Sequence, residues 1–97
     1  DRSKTEREKE VDDLINNWLG DMRIGRDTSH YWSYPSLSET LFSVQNWEIL
    51  DYGITYERVT VIVSSSTKGG LPIRVSWIVR LTRNDDAELK ISLLSKM

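Results

Sequence analysis

The sequence predicts an α+β fold, in which one long amphipathic helix is followed by a curved four-stranded antiparallel sheet. Apolar residues recur at helical spacing between Val11 and Met22. From Val44 onward, apolar and polar residues alternate between turn-forming segments. A helix and a sheet that each carry one apolar face must cover one another. We therefore expect residues 1–97 to form a single domain, with residues 1–10 as a charged lead-in or tether.

The helix is predicted over residues 5–24, and Gly25 is its expected C-cap. A short second helix is predicted through Phe42, because Ser36 and Glu39 have the spacing of a capping box. The apolar stripe of the long helix consists of Val11, Leu14, Ile15, Trp18, Leu19 and Met22.

Four strands are expected after the helices. The first two should cover residues 43–52 and 55–65, and turns should follow at residues 68–70 and 84–86. In the third strand the apolar face is predicted to hold Ile73, Val75, Trp77, Val79 and Leu81. In the fourth strand it is predicted to hold Leu89, Ile91 and Leu93. We expect this face to lie under the helix stripe, with Trp18 and Trp77 largely buried near one another.

Composition excludes several classes of function. The chain has no cysteine, which removes disulfides, thiolate nucleophiles, cysteine-type zinc sites and iron–sulfur clusters. The net charge of −2 disfavours a nucleic-acid partner. No apolar run reaches the length of a membrane span. Because the sequence starts at Asp1, we expect a fragment or a processed product, such as the soluble part of an anchored or exported bacterial protein, in a compartment that the residues leave unknown.

The order of elements also resembles a known superfamily. The helix carries Leu14-Ile15-x-x-Trp18, an irregular connection follows, and Trp77 and Leu89-Lys90-Ile91 lie in the last two strands. This pattern is similar to the cystatin-like group, in particular the nuclear-transport-factor-2-like superfamily, although this chain is short and its middle helices are reduced or missing. The resemblance implies a sheet bent around the helix. It leaves the activity open, because that superfamily includes enzymes, transport factors and assembly domains.

Large side chains near the connection are candidates for a pocket that binds a small apolar ligand. The alternative is that they pack in the core or lie on the surface. The resemblance implies that His30 is a candidate base, as a histidine in the cone is in enzymes of that superfamily. Asp51 beside Tyr52 resembles the acid–tyrosine pair of ketosteroid isomerase, but a turn-forming aspartate next to Gly53 is the favoured interpretation. We assign no catalytic residue, no cofactor and no metal site, because a single histidine with only Asp27 at ligand spacing is insufficient to bind a metal. The ligand-pocket candidates are His30, Trp32, Tyr34, Trp47 and Tyr52.

The polar face of the sheet is the candidate interface for a protein partner or a weak homodimer. Alternatively its cations are merely solvated, with Glu57 and Glu88 as cross-strand partners. The interface candidates are Arg74, Ile78, Arg80 and Lys90. The sequence thus favours a non-catalytic binding or assembly module. The alternative is an isomerase or hydrolase that binds its substrate in a cone like that of the superfamily. The apolar faces of the last two strands carry no acid or base, and this absence disfavours an enzyme.

Overall fold

The computed structural model describes residues 6–34, 44–66 and 69–97, without the side chain of Ser66. In these residues it confirms the predicted α+β arrangement of one helix packed on a four-stranded antiparallel sheet. The strands lie in the order β1-β2-β3-β4, and each runs antiparallel to its neighbours. The second helix predicted through Phe42 lies outside the described residues. The elements are α1 (Glu6–Arg23), a short 3-10 helix (Ser29–Tyr31), β1 (Asn46–Asp51), β2 (Arg58–Ser66), β3 (Pro72–Arg83) and β4 (Leu89–Lys96).

The end of α1 follows from Gly25. Its N–H donates to the carbonyl of Met22 at 3.1 Å, and the N–H of Arg26 donates to the carbonyl of Asp21 at 2.9 Å. This pair of hydrogen bonds is a Schellman motif, which requires a left-handed residue after the helix. Gly25 supplies it with a φ of 80°, so the predicted C-cap is confirmed.

The core lies between α1 and one face of the sheet, which we call the inner face. The predicted helix stripe is the buried side of α1, with Leu14 packed at its margin. Burying each large apolar side chain contributes about 1.5–3 kcal/mol, so this layer dominates the stability of the fold. The buried apolar residues are Val11, Ile15, Trp18, Leu19 and Met22 of α1, Trp32 and Val44 of the connection, and Val59, Val61, Val63, Val79, Leu81, Ile91 and Leu94 of the sheet.

The fourth strand departs from the predicted alternation. Leu93 was expected on the inner face, but it is 47% exposed, whereas Leu94 is 5% exposed. The register explains the difference: Leu81 pairs with Ile91, and the preceding Arg80 pairs with Leu93. One extra residue of β4 therefore fits between these pairs as a β-bulge, and it reverses the side-chain alternation that follows. The prediction for Leu93 is wrong for this reason.

The tryptophans also pack differently from the prediction. Trp18 is buried, but its aromatic partner is Trp32, at a ring-centroid distance of 6.4 Å in an edge-on geometry. Trp32 is 3% exposed because the chain folds back along β4, where Trp32 bridges Ile91. Trp77 is only half-buried at the margin of the core. The expectation that Trp77 is the largely buried partner of Trp18 is therefore wrong.

Candidate functional site

The face of the sheet turned away from α1, here called the outer face, is the main candidate surface. Strand register aligns its side chains in rows across the sheet. One row is Arg58, Arg80 and Leu93, and the next is Thr60, Ile78 and Ser95. No described element packs on this face. The outer face comprises Asn46, Glu48 and Asp51 of β1, Arg58, Thr60, Ile62 and Ser64 of β2, Arg74, Ser76, Ile78, Arg80 and Thr82 of β3, and Lys90, Leu93 and Ser95 of β4.

Three apolar side chains cross the outer face diagonally, and we call them the apolar diagonal: Ile62, Ile78 and Leu93. Ile62 pairs with Ser76, two residues before Ile78, and Leu93 pairs with Arg80, two residues after it. Diagonal neighbours of this kind have Cα atoms roughly 7–8 Å apart, within reach of long side chains. Ile62 and Ile78 are half-buried and Leu93 is exposed, so the diagonal offers apolar area to solvent.

Arginines lie at both ends of the apolar diagonal. Arg58 and Arg80 are direct cross-strand partners at one end, and Arg74 lies at the other end. Like charges placed directly opposite one another destabilise a strand pair. In the described parts of the chain, none of these three exposed arginines forms an ion pair with an acid. Within the described residues, the outer face thus holds three arginines without an ion pair beside apolar surface, while its acids Glu48 and Asp51 lie on β1.

The Arg58–Arg80 pair borders an open groove of about 600 Å³. The groove follows the last residues of β3, between the connection on one side and the residues before β2 on the other. Its acidic residues are Glu57 and Asp85, and its neutral lining offers hydroxyl and amide donors. The lining residues are Ser33, Tyr34, Glu57, Arg58, Arg80, Leu81, Thr82, Arg83, Asn84, Asp85 and Ser92.

Of the predicted interface residues, Arg74, Ile78 and Arg80 share the outer face, but Lys90 has a different task. Its ammonium donates to the carbonyl of His30 at 2.8 Å and lies 3.6 Å from a carboxylate oxygen of Glu88. Lys90 therefore ties the 3-10 helix to β4 and is not free for a partner. Glu88 was predicted as a cross-strand partner, but its contact with Lys90 joins residues two positions apart at the start of β4 and does not cross between strands.

The five ligand-pocket candidates are distributed over the two edges of the sheet. His30 is exposed and stacks on Tyr31 at 4.0 Å, Trp32 is in the core, and Tyr34 borders the groove. Trp47 and Tyr52 lie near the β1 edge, beside a shallow cavity of about 220 Å³. Because β1 and β4 are separated by two strands, the two edges are about 14 Å apart. The structure does not bring the five residues together around one pocket.

Asp51 and His30 do not meet either. Asp51 ends β1, and its Oδ1 accepts the N–H of Gly53 at 3.1 Å, which is the turn-forming role. Gly53 itself is required, since its φ is 74° and a Cβ would lie 2.7 Å from the carbonyl oxygen of Arg58. His30 is at the opposite edge, beside β4.

Sequence reasoning missed a row of polar contacts that fixes α1 to the β1 edge. The indole of Trp47 donates to Asn16 Oδ1 at 2.8 Å, and the hydroxyl of Tyr52 donates to Asp12. One helical turn before Asp12, Glu8 of α1 accepts a hydrogen bond from the hydroxyl of Tyr56 at 3.3 Å. The signal was present in the four-residue spacing of the acceptors Glu8, Asp12 and Asn16, which places them on one side of the helix.

The shifted ionisable groups Glu10, Arg83 and Tyr31 serve structural contacts that involve α1. The guanidinium of Arg83 donates hydrogen bonds to both carboxylate oxygens of Glu10, at 2.5 and 2.9 Å, and a further one to the carbonyl of Ala87. The hydrogen bond from Arg83 lowers the pKa of Glu10, and the same contact raises the pKa of Arg83. Burial raises the pKa of Tyr31 to about 12, and its hydrogen bond to Asp21 adds to the shift. We call the Arg83–Glu10 contact the helix–hairpin clasp.

Over residues 6–34, 44–66 and 69–97, no three acidic or histidine side chains cluster in a way that could hold a metal ion. The one long helix in that part of the chain is too polar to cross a membrane. No protein-family model matches the sequence, and no curated protein or solved structure matches it either. The likeness to the cystatin-like group therefore stays a prediction from the sequence pattern.

Proposed function

We propose that this chain is a non-catalytic binding module that contacts a protein partner through the outer face of its sheet. One observation carries the proposal: in the described residues, no element packs on the apolar diagonal, and the arginines at its ends have no acidic partner. Protein interfaces are enriched in arginine and in large side chains at their centres. Ile78, in the middle of the diagonal, is the expected centre of the contact.

A heteropartner fits this surface better than a second copy. A two-fold pairing of two outer faces would bury both copies of Ile78, but it would also bring Arg58, Arg74 and Arg80 of each copy towards those of the other. Like-charge juxtaposition across an interface costs several kcal/mol. A weak homodimer is therefore the less favoured form of the same proposal.

The alternative class, an isomerase or hydrolase, has less support. A general acid or base must lie within hydrogen-bond reach of its substrate, and cooperating groups must share a pocket. His30 and Asp51 lie at opposite edges of the sheet, and Asp51 is engaged in a turn. The hydroxyl of Tyr52 is bonded to Asp12 on the helix.

The proposal is tested by selecting peptides from a displayed random library against the immobilised protein. Selected peptides should lose about tenfold in affinity for Ile78→Glu, equivalent to about 1.4 kcal/mol. The matched control is Ile54→Glu, because Ile54 is fully exposed in the loop before β2 and lies off the outer face. Far-UV circular dichroism checks that both variants fold. Ligands that bind Ile78→Glu as well as the parent, or a selection that yields no ligand, would contradict the proposal.

A further inference from the structure

The Arg58–Arg80 pair identifies the chemistry of the partner. Resting on the proposed function, we propose that the groove beside this pair binds an acidic segment of the partner protein, with side-chain carboxylates on the two guanidinium groups. The apolar diagonal then receives the apolar side chains of the same segment.

Arg58 and Arg80 repel each other in the free protein. Directly opposed residues of an antiparallel pair have Cα atoms about 4.5–5.5 Å apart, so the guanidinium groups of Arg58 and Arg80 extend from neighbouring points. Neither arginine forms an ion pair with an acid of the described residues, although Glu57 and Asp85 line the same groove. Such a pair is unfavourable in the free protein, and a bound carboxylate removes the repulsion. The arrangement is therefore poorer for folding than for binding an anion.

Hydrogen-bond donors surround the Arg58–Arg80 pair in the groove. A guanidinium binds a carboxylate through two parallel N–H···O bonds, which is a specific as well as a strong contact. The groove adds the hydroxyls of Ser33, Tyr34 and Thr82 and the side chain of Asn84. These groups can bind carboxylate oxygens or peptide carbonyls. At about 600 Å³ and open to solvent, the groove has room for several residues of an extended chain.

Apolar surface next to the arginine pair favours a peptide over other anions. The row that holds Arg58 and Arg80 continues directly to Leu93, which lies at one end of the apolar diagonal. An acidic peptide with interspersed apolar residues matches charge and apolar surface together, whereas an inorganic anion uses only the arginines. A nucleic acid is disfavoured by the net charge of −2, because its affinity depends on many phosphate contacts.

The test uses a fluorescein-labelled peptide in which pairs of glutamates alternate with single leucines, and a second peptide with glutamine in place of every glutamate. Fluorescence anisotropy measures their affinities for the full chain. We expect the acidic peptide to bind at least about tenfold more tightly than the glutamine peptide, and to weaken as the salt concentration rises. Arg58→Gln and Arg80→Gln should each weaken the acidic peptide about five- to tenfold.

The matched control is Lys9→Gln. Lys9 is an exposed cation of α1, which packs on the inner face of the sheet, so Lys9 lies away from the groove. We expect less than a twofold change in affinity for this variant. Equal effects of Lys9→Gln and Arg80→Gln would show general charge attraction and would overturn the assignment to the groove.

A second readout does not depend on any ligand. Because Arg58 and Arg80 repel each other in the free protein, Arg80→Gln should raise the melting temperature by about 1–5 °C while it weakens the peptide. Arg74→Gln, which has Ser64 opposite, should leave the melting temperature nearly unchanged. A variant at residue 80 that both melts lower and binds normally would overturn the inference.

Competition separates the inference from the proposed function. Selected peptides that depend on Ile78 but carry no acidic residues would keep the binding module and overturn the acidic segment. Sodium sulfate that displaces the peptide completely at equal charge concentration would show a simple anion site and would overturn the peptide assignment. A single-stranded oligonucleotide that binds more tightly than the acidic peptide, with the same dependence on Arg58 and Arg80, would overturn it as well.

Discussion

Replacing Trp32 with alanine should destabilise the protein more than the same change at Trp77. Trp32 is 3% exposed, packs edge-on against Trp18 and bridges β4, whereas Trp77 is half-buried at the core margin. Removing Trp32 would leave a cavity beside Trp18 and would release the chain that covers the β4 edge. The sequence pattern alone predicts the opposite ranking.

The magnitude follows from the burial. Truncating a fully buried tryptophan costs about 3–5 kcal/mol, and about half that loss is expected for the half-buried Trp77. A chain of 97 residues has a free energy of unfolding of about 5–15 kcal/mol. With a urea dependence of about 1.5 kcal/mol per molar, Trp32→Ala should lower the urea midpoint by about 2–3 M.

Urea unfolding followed by far-UV circular dichroism measures this shift without relying on tryptophan fluorescence. Tyr34→Ala is the control, because Tyr34 is 63% exposed only two residues along the chain, and its substitution should change the free energy of unfolding by no more than about 0.5 kcal/mol. A Trp32→Ala protein with a midpoint within about 0.5 M of the parent, or above that of Trp77→Ala, would refute this account of the core.

Further predictions concern the helix–hairpin clasp and the two glycines Gly25 and Gly53, which have positive φ. The pKa of Glu10 is lowered from 4.5 in the folded protein, so its contribution to stability is present above that value and is lost as the pH falls through the folded pKa. Glu10→Gln should therefore lower the free energy of unfolding at neutral pH, measured by urea unfolding, by at most about 1 kcal/mol because the side chain is 40% exposed. The difference from the parent should shrink as the pH falls below 4.5, and a constant difference at all pH values would exclude the clasp as its origin. Gly25→Ala should cost about 1–2 kcal/mol in thermal unfolding because of its positive φ, and Gly53→Ala should cost more because its Cβ would also meet a backbone oxygen; equal losses would contradict the described loop.

The helix and strands were predictable because their apolar periods differ, and Gly25 was predictable because a left-handed cap requires it. Leu93 was not, because a β-bulge depends on the partner strand and not on local alternation. Trp32 was not, because a bridge between the connection and β4 leaves no periodic signal within a few residues of irregular chain.

Only the part of the candidate surface that lies within one strand was predictable from the alternation of apolar and polar residues. Alternation in β3 alone placed Ile78 and Arg80 together on one face. The opposition of Arg58 and Arg80, and the diagonal that joins Ile62 to Leu93, depend on the register between strands. That register is fixed by turn geometry and by the whole buried face, which a single strand's pattern does not contain.

The helix–hairpin clasp joins Glu10 and Arg83, which are 73 positions apart in the chain, and α1 approaches β4 more closely than any other strand. During synthesis the helix is made first, but its cover on β4, with Ile91 and Leu94, is made last. The apolar stripe of α1 therefore stays exposed to solvent or bound to chaperones until almost the whole sheet has left the ribosome. Pairing between successive strands can proceed meanwhile, so closure of the core onto the helix is the long-range step that should set the folding rate.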